Sequence, residues 1–184
     1  MSRIDDLAEQ YEMHVTAPWQ RNLAGAQRTI FVVYPKEDER RLLVKLKEFE
    51  HRTKAAGHGW RQVDLTNLFA VWMAEEEYRE EYFRHPEDLI PKYDREFKAA
   101  CVARLRQALT DEGLDDDSVL AVHGAGGLYG FTFLHEDLKA VEPDICGRVV
   151  VFFPGSYDQN TYRLLDARDG WNYMATPITG LANK

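Results

Sequence analysis

The sequence predicts an α/β fold, a single domain over residues 1–184 in which a mostly parallel sheet is sandwiched by helices. Three observations carry that expectation. Thr29 to Tyr34 (TIFVVY) and Val149 to Phe153 (VVVFF) are unbroken β-branched and aromatic runs, the pattern of strands buried on both faces. Segments of helical periodicity separate such runs, and strands alternating with helices produce parallel sheets covered on both sides. The 184 residues, 45% hydrophobic and 29% charged, match one globular core rather than a disordered chain.

Taken in order, Ile4, Leu7 and Tyr11 recur at i, i+3 and i+7, predicting a first helix from about Ser2 to His14 that ends before Pro18. After the strand at Thr29, Leu42, Leu46 and Phe49 define a helix beginning near Lys36 or Glu37, with Gly57 placed to end it as a left-handed cap. Arg61 to Leu65 alternates as a strand does, and Thr66 is suited to cap the next helix, whose apolar face is Leu68, Phe69, Trp72 and Met73. Pro86 and Pro91 mark a break before a helix carrying Phe97, Cys101, Leu105 and Ala108, which stops near Gly113. Ser118 to Val122 reads as a strand, followed by a glycine-rich turn from His123 to Gly127 and a helix with Leu134, Leu138 and Val141 that Pro143 ends. Trp171 to Ile178 reads as a last strand, with Pro177 suited to a sheet edge.

A formal charge of -8 disfavours nucleic-acid binding by this chain alone, since phosphate affinity rests on clustered Lys and Arg. Cys101 and Cys146 lack any CxxC or Cys/His spacing and read as buried thiols in a reducing compartment. Acidic residues follow the N-terminal Met where a signal peptide needs a basic stretch, and no apolar run approaches membrane-spanning length, so a cytoplasmic, non-membrane location is expected.

In an open parallel sheet, ligands gather beyond the carboxyl ends of the strands. That rule places Tyr34, Lys36, Asp64, Thr66, His123, Ser156 and Tyr157 along one expected edge. The turn containing Gly124, Gly126, Gly127 and Gly130 is the sharpest local feature there, yet it lacks the GxxxxGK[ST] spacing of a phosphate loop and contains no lysine. A structural turn is the default reading, and a nucleotide-binding or hydrolytic site using Gly124 to Gly130 with His123, Asp64 and Arg163 is the alternative. His58, flanked by two glycines, reads as part of a helix-stop loop, with an exposed acid or base as its alternative. Neither serine near the edge sits in a GxSxG elbow, and no HxxxH or HExxH pair occurs, so no catalytic, cofactor-binding or metal-ligating residue is assigned. The acidic run Glu75 to Glu81 and the aspartates Asp115 to Asp117 read as solvated surface, the former with a docking surface as its functional alternative. Arg163, Asp166, Arg168 and Asp169 read as an internal ion-pair network or, alternatively, an exposed recognition loop.

The run from Val151 to Tyr173, VFFPGSYDQNTYRLLDARDGWNY, closely resembles the C-terminal signature of the BrxB family, small proteins of bacterial BREX phage-exclusion systems. Further matching pieces are PWQR from Pro18, FVVYPKEDERRL from Phe31, GHGWRQVDLT from Gly57 and VEPDICGR from Val141, which together spread over nearly the whole chain. The resemblance implies a cytoplasmic antiviral defence component working beside a PglZ-type protein, a DNA methyltransferase and a large ATPase, with a fold like a nucleoside-triphosphatase core lacking its phosphate loop. It implies no catalytic residues and no cofactor. The expected function is therefore a non-enzymatic adaptor, with Glu76, Glu77, Glu80, Arg163 and Arg168 as candidate protein-interaction residues.

Overall fold

Side-chain alternation along the strands decides how the layers assemble in the computed structural model, which describes residues 2–111 and 113–180. Strands β1 (Thr29–Tyr34), β2 (Gly59–Asp64), β3 (Ser118–His123), β4 (Arg148–Asp158) and β6 (Thr176–Thr179) form the order β2-β3-β4-β1-β6, all parallel, and β5 (Thr161–Leu164) pairs antiparallel with the far end of β4. Ile30, Val32 and Tyr34 point to one face with Val150 and Phe152, and Phe31 and Val33 point to the other with Val149, Val151 and Phe153. The period of two along each strand sends consecutive apolar residues to opposite faces, so an unbroken apolar run requires a cover on both.

Helices α1 (Arg3–Thr16) and α2 (Glu39–Ala55) cover the first face through Ile4, Leu7, Tyr11, Leu42, Leu46 and Phe49. Ser2 caps α1 in a reciprocal capping box with Asp5, and Gly57 adopts φ +88 just beyond α2, as expected from sequence. The second face is covered by α3 (Leu68–Glu75), α6 (Lys98–Leu109) and α7 (Leu134–Val141), with Phe97, Cys101, Leu105, Leu134 and Leu138 in its core. Between α3 and α6 lie α4 (Arg79–Arg84) and α5 (Ile90–Lys92), and a π-helical turn over Tyr93–Phe97 joins α5 to α6.

Two local expectations need correction. Thr66 does not cap α3, because its hydroxyl and backbone N–H both donate to Asp64 Oδ1, at 2.6 and 2.8 Å, and Asn67 occupies the N-cap position without a side-chain bond. The final strand is also shorter than read: Trp171 only exchanges two backbone bonds with Tyr162, and the strand proper begins at Thr176, with Pro177 opposite Phe31 on the edge strand.

The β4–β5 hairpin was not anticipated. Gln159 and Asn160 take φ 46 and 63, the left-handed pair of a type I′ turn, whose twist matches that of the flanking strands. Gly155 is needed in β4 because a side chain there would lie 2.0 Å from the Arg163 carbonyl oxygen. The hairpin inserts Tyr162, fully buried, against Phe31 and Phe153, and Leu165 N–H donates to the Pro154 carbonyl at 2.8 Å.

Phe31 touches Phe153, Tyr162, Trp171 and Tyr173 at ring-centroid separations from 4.7 to 5.9 Å. Phe31→Ala is expected to lower unfolding free energy by about 3–5 kcal/mol, measured by urea denaturation, because the surrounding rings cannot collapse onto the space left.

Candidate functional sites at the two edges of the sheet

The register puts Tyr34, Asp64, His123 and Pro154 at the carboxyl edge, since Asp64 faces His123 across β2–β3 and Tyr34 faces Pro154 across β1–β4. The expected gathering of Asp64, Thr66 and His123 therefore exists. His123 Nδ1 lies 3.6 Å from Asp64 Oδ1 and, although buried, has no hydrogen-bond partner among the described residues. Burial works against the Asp64 charge, but the two donations from Thr66 and the neighbouring His123 hold its carboxyl below the usual range. No hydrogen bond or ion pair joins Arg163 to either residue among those described; Arg163 stands opposite Ser156 in the hairpin.

The first part of the glycine turn is packed against the loop after β2. Gly124 has φ +77, and a side chain there would meet Thr66 Oγ1 at 2.4 Å and Asp64 Oδ1 at 2.6 Å. One at Gly127 would meet the Thr66 carbonyl at 2.6 Å. These contacts assign Gly124 and Gly127 to close packing of two loops, so Asp64–Thr66 covers that part of the turn, whereas a side chain at Gly126 would meet only ordinary contacts and Gly130, at φ +82, has open space beside it. The turn continues as a 3-10 segment, Ala125–Leu128, and α7 begins only at Leu134, so no helix N-terminus opens onto it. After β1, Lys36 is ion-paired at the surface with Asp166, just beyond the hairpin.

That pair also corrects the expected internal network: Asp166 turns to Lys36, and Arg163, Arg168 and Asp169 form no ion pair among the described residues. Arg168 and Asp169 line a 270 Å³ groove with Tyr129, Phe133 and Trp171. The acidic run divides as well. Glu76 is half-buried and bridged to Lys92 at 2.5 Å, while Glu77 and Glu80 stay exposed beyond the end of α3. Exposed Val71, Tyr78, Phe83 and Ile90 belong to the same stretch of chain.

A 510 Å³ cavity lies at the opposite edge, where sequence reasoning placed only His58 and the aspartate loop Asp115 to Asp117 and expected no site. It is walled by the loop after α1, the loop before β2 and the start of β4. Trp19 stacks on His58 with centroids 3.8 Å apart and planes 9° from parallel, and the Arg148 guanidinium lies 4.8 Å over the Trp19 ring. His58 Nε2 and Nδ1 face the carbonyl oxygens of Val15 and Asp117 at 2.9 and 3.1 Å, so His58 is a bonded loop residue as the helix-stop reading expects. Arg28 donates to the carbonyls of Leu23, Ile145, Cys146 and Arg21. Arg21 pairs with Asp116 at 2.5 Å and with Asp117 at 3.7 Å. Three of the segments that carry the family resemblance meet here, through Trp19 and Arg21, His58, and Cys146 and Arg148. The thiol expectation holds for Cys101, where burial pushes the pKa up to about 12, and fails for Cys146, which is exposed on this cavity wall.

Among the described residues no group of three His, Cys, Asp or Glu side chains is placed to hold a metal ion, and no helix is long and apolar enough to cross a membrane. Compared with protein-family models, with curated proteins and with solved structures, the chain finds no match in any of the three.

Asp137 on α7 is fully buried, accepts from the Thr132 hydroxyl alone among the described residues, and burial pushes its pKa up to about 7. The native state thus holds a proton that the unfolded chain releases at lower pH, so stability contributed by this group is present below the unfolded value and declines as pH rises toward about 7. Asp137→Asn should therefore raise the melting temperature at pH 8, with a gain in stability at least about 1 kcal/mol larger than at pH 5. Gly124→Ala should cost about 1–3 kcal/mol by chemical denaturation, from the positive φ and the contact with Thr66.

Proposed function

We propose that this chain is a non-enzymatic adaptor of a bacterial BREX antiphage complex, acting in the cytoplasm and docking onto a PglZ-type protein through the stretch from α3 to α5. The observation that carries this reading is the coincidence of apolar and acidic exposure. Val71, Tyr78, Phe83 and Ile90 are 56 to 62% exposed, interleaved with Glu75, Glu77, Glu80, Glu81, Glu87 and Asp88. Arg79 and Arg84 pair with Glu80 and Glu81, and the acidic residues still outnumber them, so apolar anchors with a mainly acidic rim fit a partner surface that offers apolar pockets within a basic border. The resemblance of Val151 to Tyr173 and the four shorter segments supplies the defence context, and with it the methyltransferase and ATPase as further companions. Arg168, beside the groove formed with Tyr129 and Phe133, offers a second point of contact. Glu76 contributes by holding Lys92 and so fixing α3 against α5, while Glu77 and Glu80 face outward.

A second reading, an enzyme or nucleotide-binding module at the carboxyl edge, is favoured by the unpartnered Nδ1 of His123 beside Asp64. A rise in melting temperature with MgATP that is lost in Asp64→Ala but kept in Arg148→Gln would establish it.

The adaptor reading predicts that the chain, tagged and expressed with the whole defence operon, copurifies with the PglZ-type protein. Glu77→Lys combined with Glu80→Lys should weaken that association about tenfold, and Phe83→Asp by at least as much, without lowering the melting temperature of the isolated chain. Retention of full binding by both variants would refute the assignment of the surface, and failure to recover the partner with the native chain would refute the adaptor itself.

A further inference from the structure

We propose that the cavity at the amino edge of the sheet is a binding site for a small phosphate monoester, with Arg148 and Arg28 supplying the opposing charge. The site is independent of the docking stretch, which lies in α3 to α5.

The first argument is uncompensated charge. Among the described residues, the carboxylates lining the cavity are those of Asp116 and Asp117, both held by Arg21, so three arginines meet two carboxylates and the lining keeps a net positive charge. Arg28 and Arg148 have no carboxylate within ion-pairing distance among the described residues; their guanidinium donors are met only by carbonyl oxygens. Carbonyls satisfy N–H groups without cancelling the cation. Two neighbouring half-buried cations left this way are unfavourable, and an anion between them would relieve both desolvation and mutual repulsion. Burial first and the Arg28 charge second disfavour the charged form of Arg148, which agrees with that geometry.

The second argument is organisation before binding. A guanidinium offers five N–H donors. Arg28 is clamped by four carbonyls and cannot swing away, whereas Arg148 uses two donors, to Gln20 and Gly147, and keeps the rest for a ligand. The Trp19 ring, itself stacked on His58, holds the Arg148 plane in place. Donors fixed in advance lose little freedom when an anion arrives.

The third argument selects the ligand class. A phosphate monoester presents three acceptor oxygens, which the one free donor of Arg28 and the three free donors of Arg148 can share, where a carboxylate presents two. The 510 Å³ volume exceeds the phosphate and leaves space for an organic substituent along Thr16, Ala17, Pro18 and Ala56. A nucleic-acid strand is disfavoured by the overall charge of -8.

Cys146 provides the test, since its thiol is exposed on the cavity wall and Cys101 is buried. The purified chain is treated with iodoacetamide, an uncharged reagent, and Cys146 alkylation is followed by mass spectrometry with added phenyl phosphate, inorganic phosphate or benzoate. Phenyl phosphate should slow alkylation saturably, with inorganic phosphate weaker and benzoate weakest. Arg148→Gln should raise the half-protecting concentration about tenfold, and Arg148→Lys by about threefold or less. Arg21→Gln, at an exposed position, frees Asp116 and Asp117 to face the cavity and should also weaken protection. Absence of saturable protection of the native chain up to about 10 mM, a regime weaker than that of ordinary ligand sites, overturns the proposal. Equal protection by benzoate, or equal protection of native and Arg148→Gln chains, overturns it too; should Arg148→Gln not fold, unchanged protection in Arg21→Gln does so.

Discussion

The parallel ladder between β1 and β4 is the constraint from which the remaining structure follows. Six residue pairs, from Thr29 and Val149 to Tyr34 and Pro154, are buried along both strands. A ladder with apolar side chains on both faces has no stable arrangement until each face is covered. Helices α1 and α2 answer for one side, and α3, α6 and α7 for the other, so the helical layers are consequences of two short runs of valine, isoleucine and phenylalanine. Beyond Pro154 the same strand leaves the parallel sheet, and β5 takes over the hydrogen bonding of its last four residues.

That extension changes what the carboxyl edge can do. In open parallel sheets the crevice where strand order reverses is the usual ligand site. Here the chain enters that region from two directions: the end of the hairpin, held by the bond of Leu165 to the Pro154 carbonyl and the pair of Asp166 with Lys36, and the Asp64–Thr66 loop, seated on the glycine turn. Tyr162, Trp171 and Tyr173 from the same segment serve the core around Phe31. The carboxyl side keeps the 270 Å³ groove beside Trp171, and a 510 Å³ space opens beyond the amino ends of the strands, where loops after α1 and before β2 stand apart over Arg28 and Arg148.

The two surfaces differ in character as well as place. The stretch from α3 to α5 combines exposed apolar side chains with acidic ones, a composition suited to association with a larger, basic partner. The amino-edge cavity is concave, arginine-lined and internally braced, a composition suited to a small anion.

Periodicity made most of the framework legible. Thr29–Tyr34, the stripe Leu42, Leu46, Phe49 and the stripe Phe97, Cys101, Leu105 announce their elements because hydrophobic spacing is a local property of the chain, and Gly57 ends α2 for a reason contained in its own missing side chain. The β4–β5 hairpin escaped because Gln-Asn is a weak turn signal and the charged residues around it suggested ion pairs instead of strand pairing. Thr66 looked like a helix cap since that role needs only its own neighbours, but Asp64 two residues earlier competes for its donors. The amino-edge cavity left only isolated signals in the chain, His58 and three of the segments that carry the family resemblance: Trp19, Arg28, His58 and Arg148 are separated by up to 129 positions in sequence, and no spacing rule links them. Which helices and strands form was decided by the order of apolar and polar residues; which side chains share a cavity, and which charges remain without a counter-charge, was decided only when the sheet brought distant loops to a common edge.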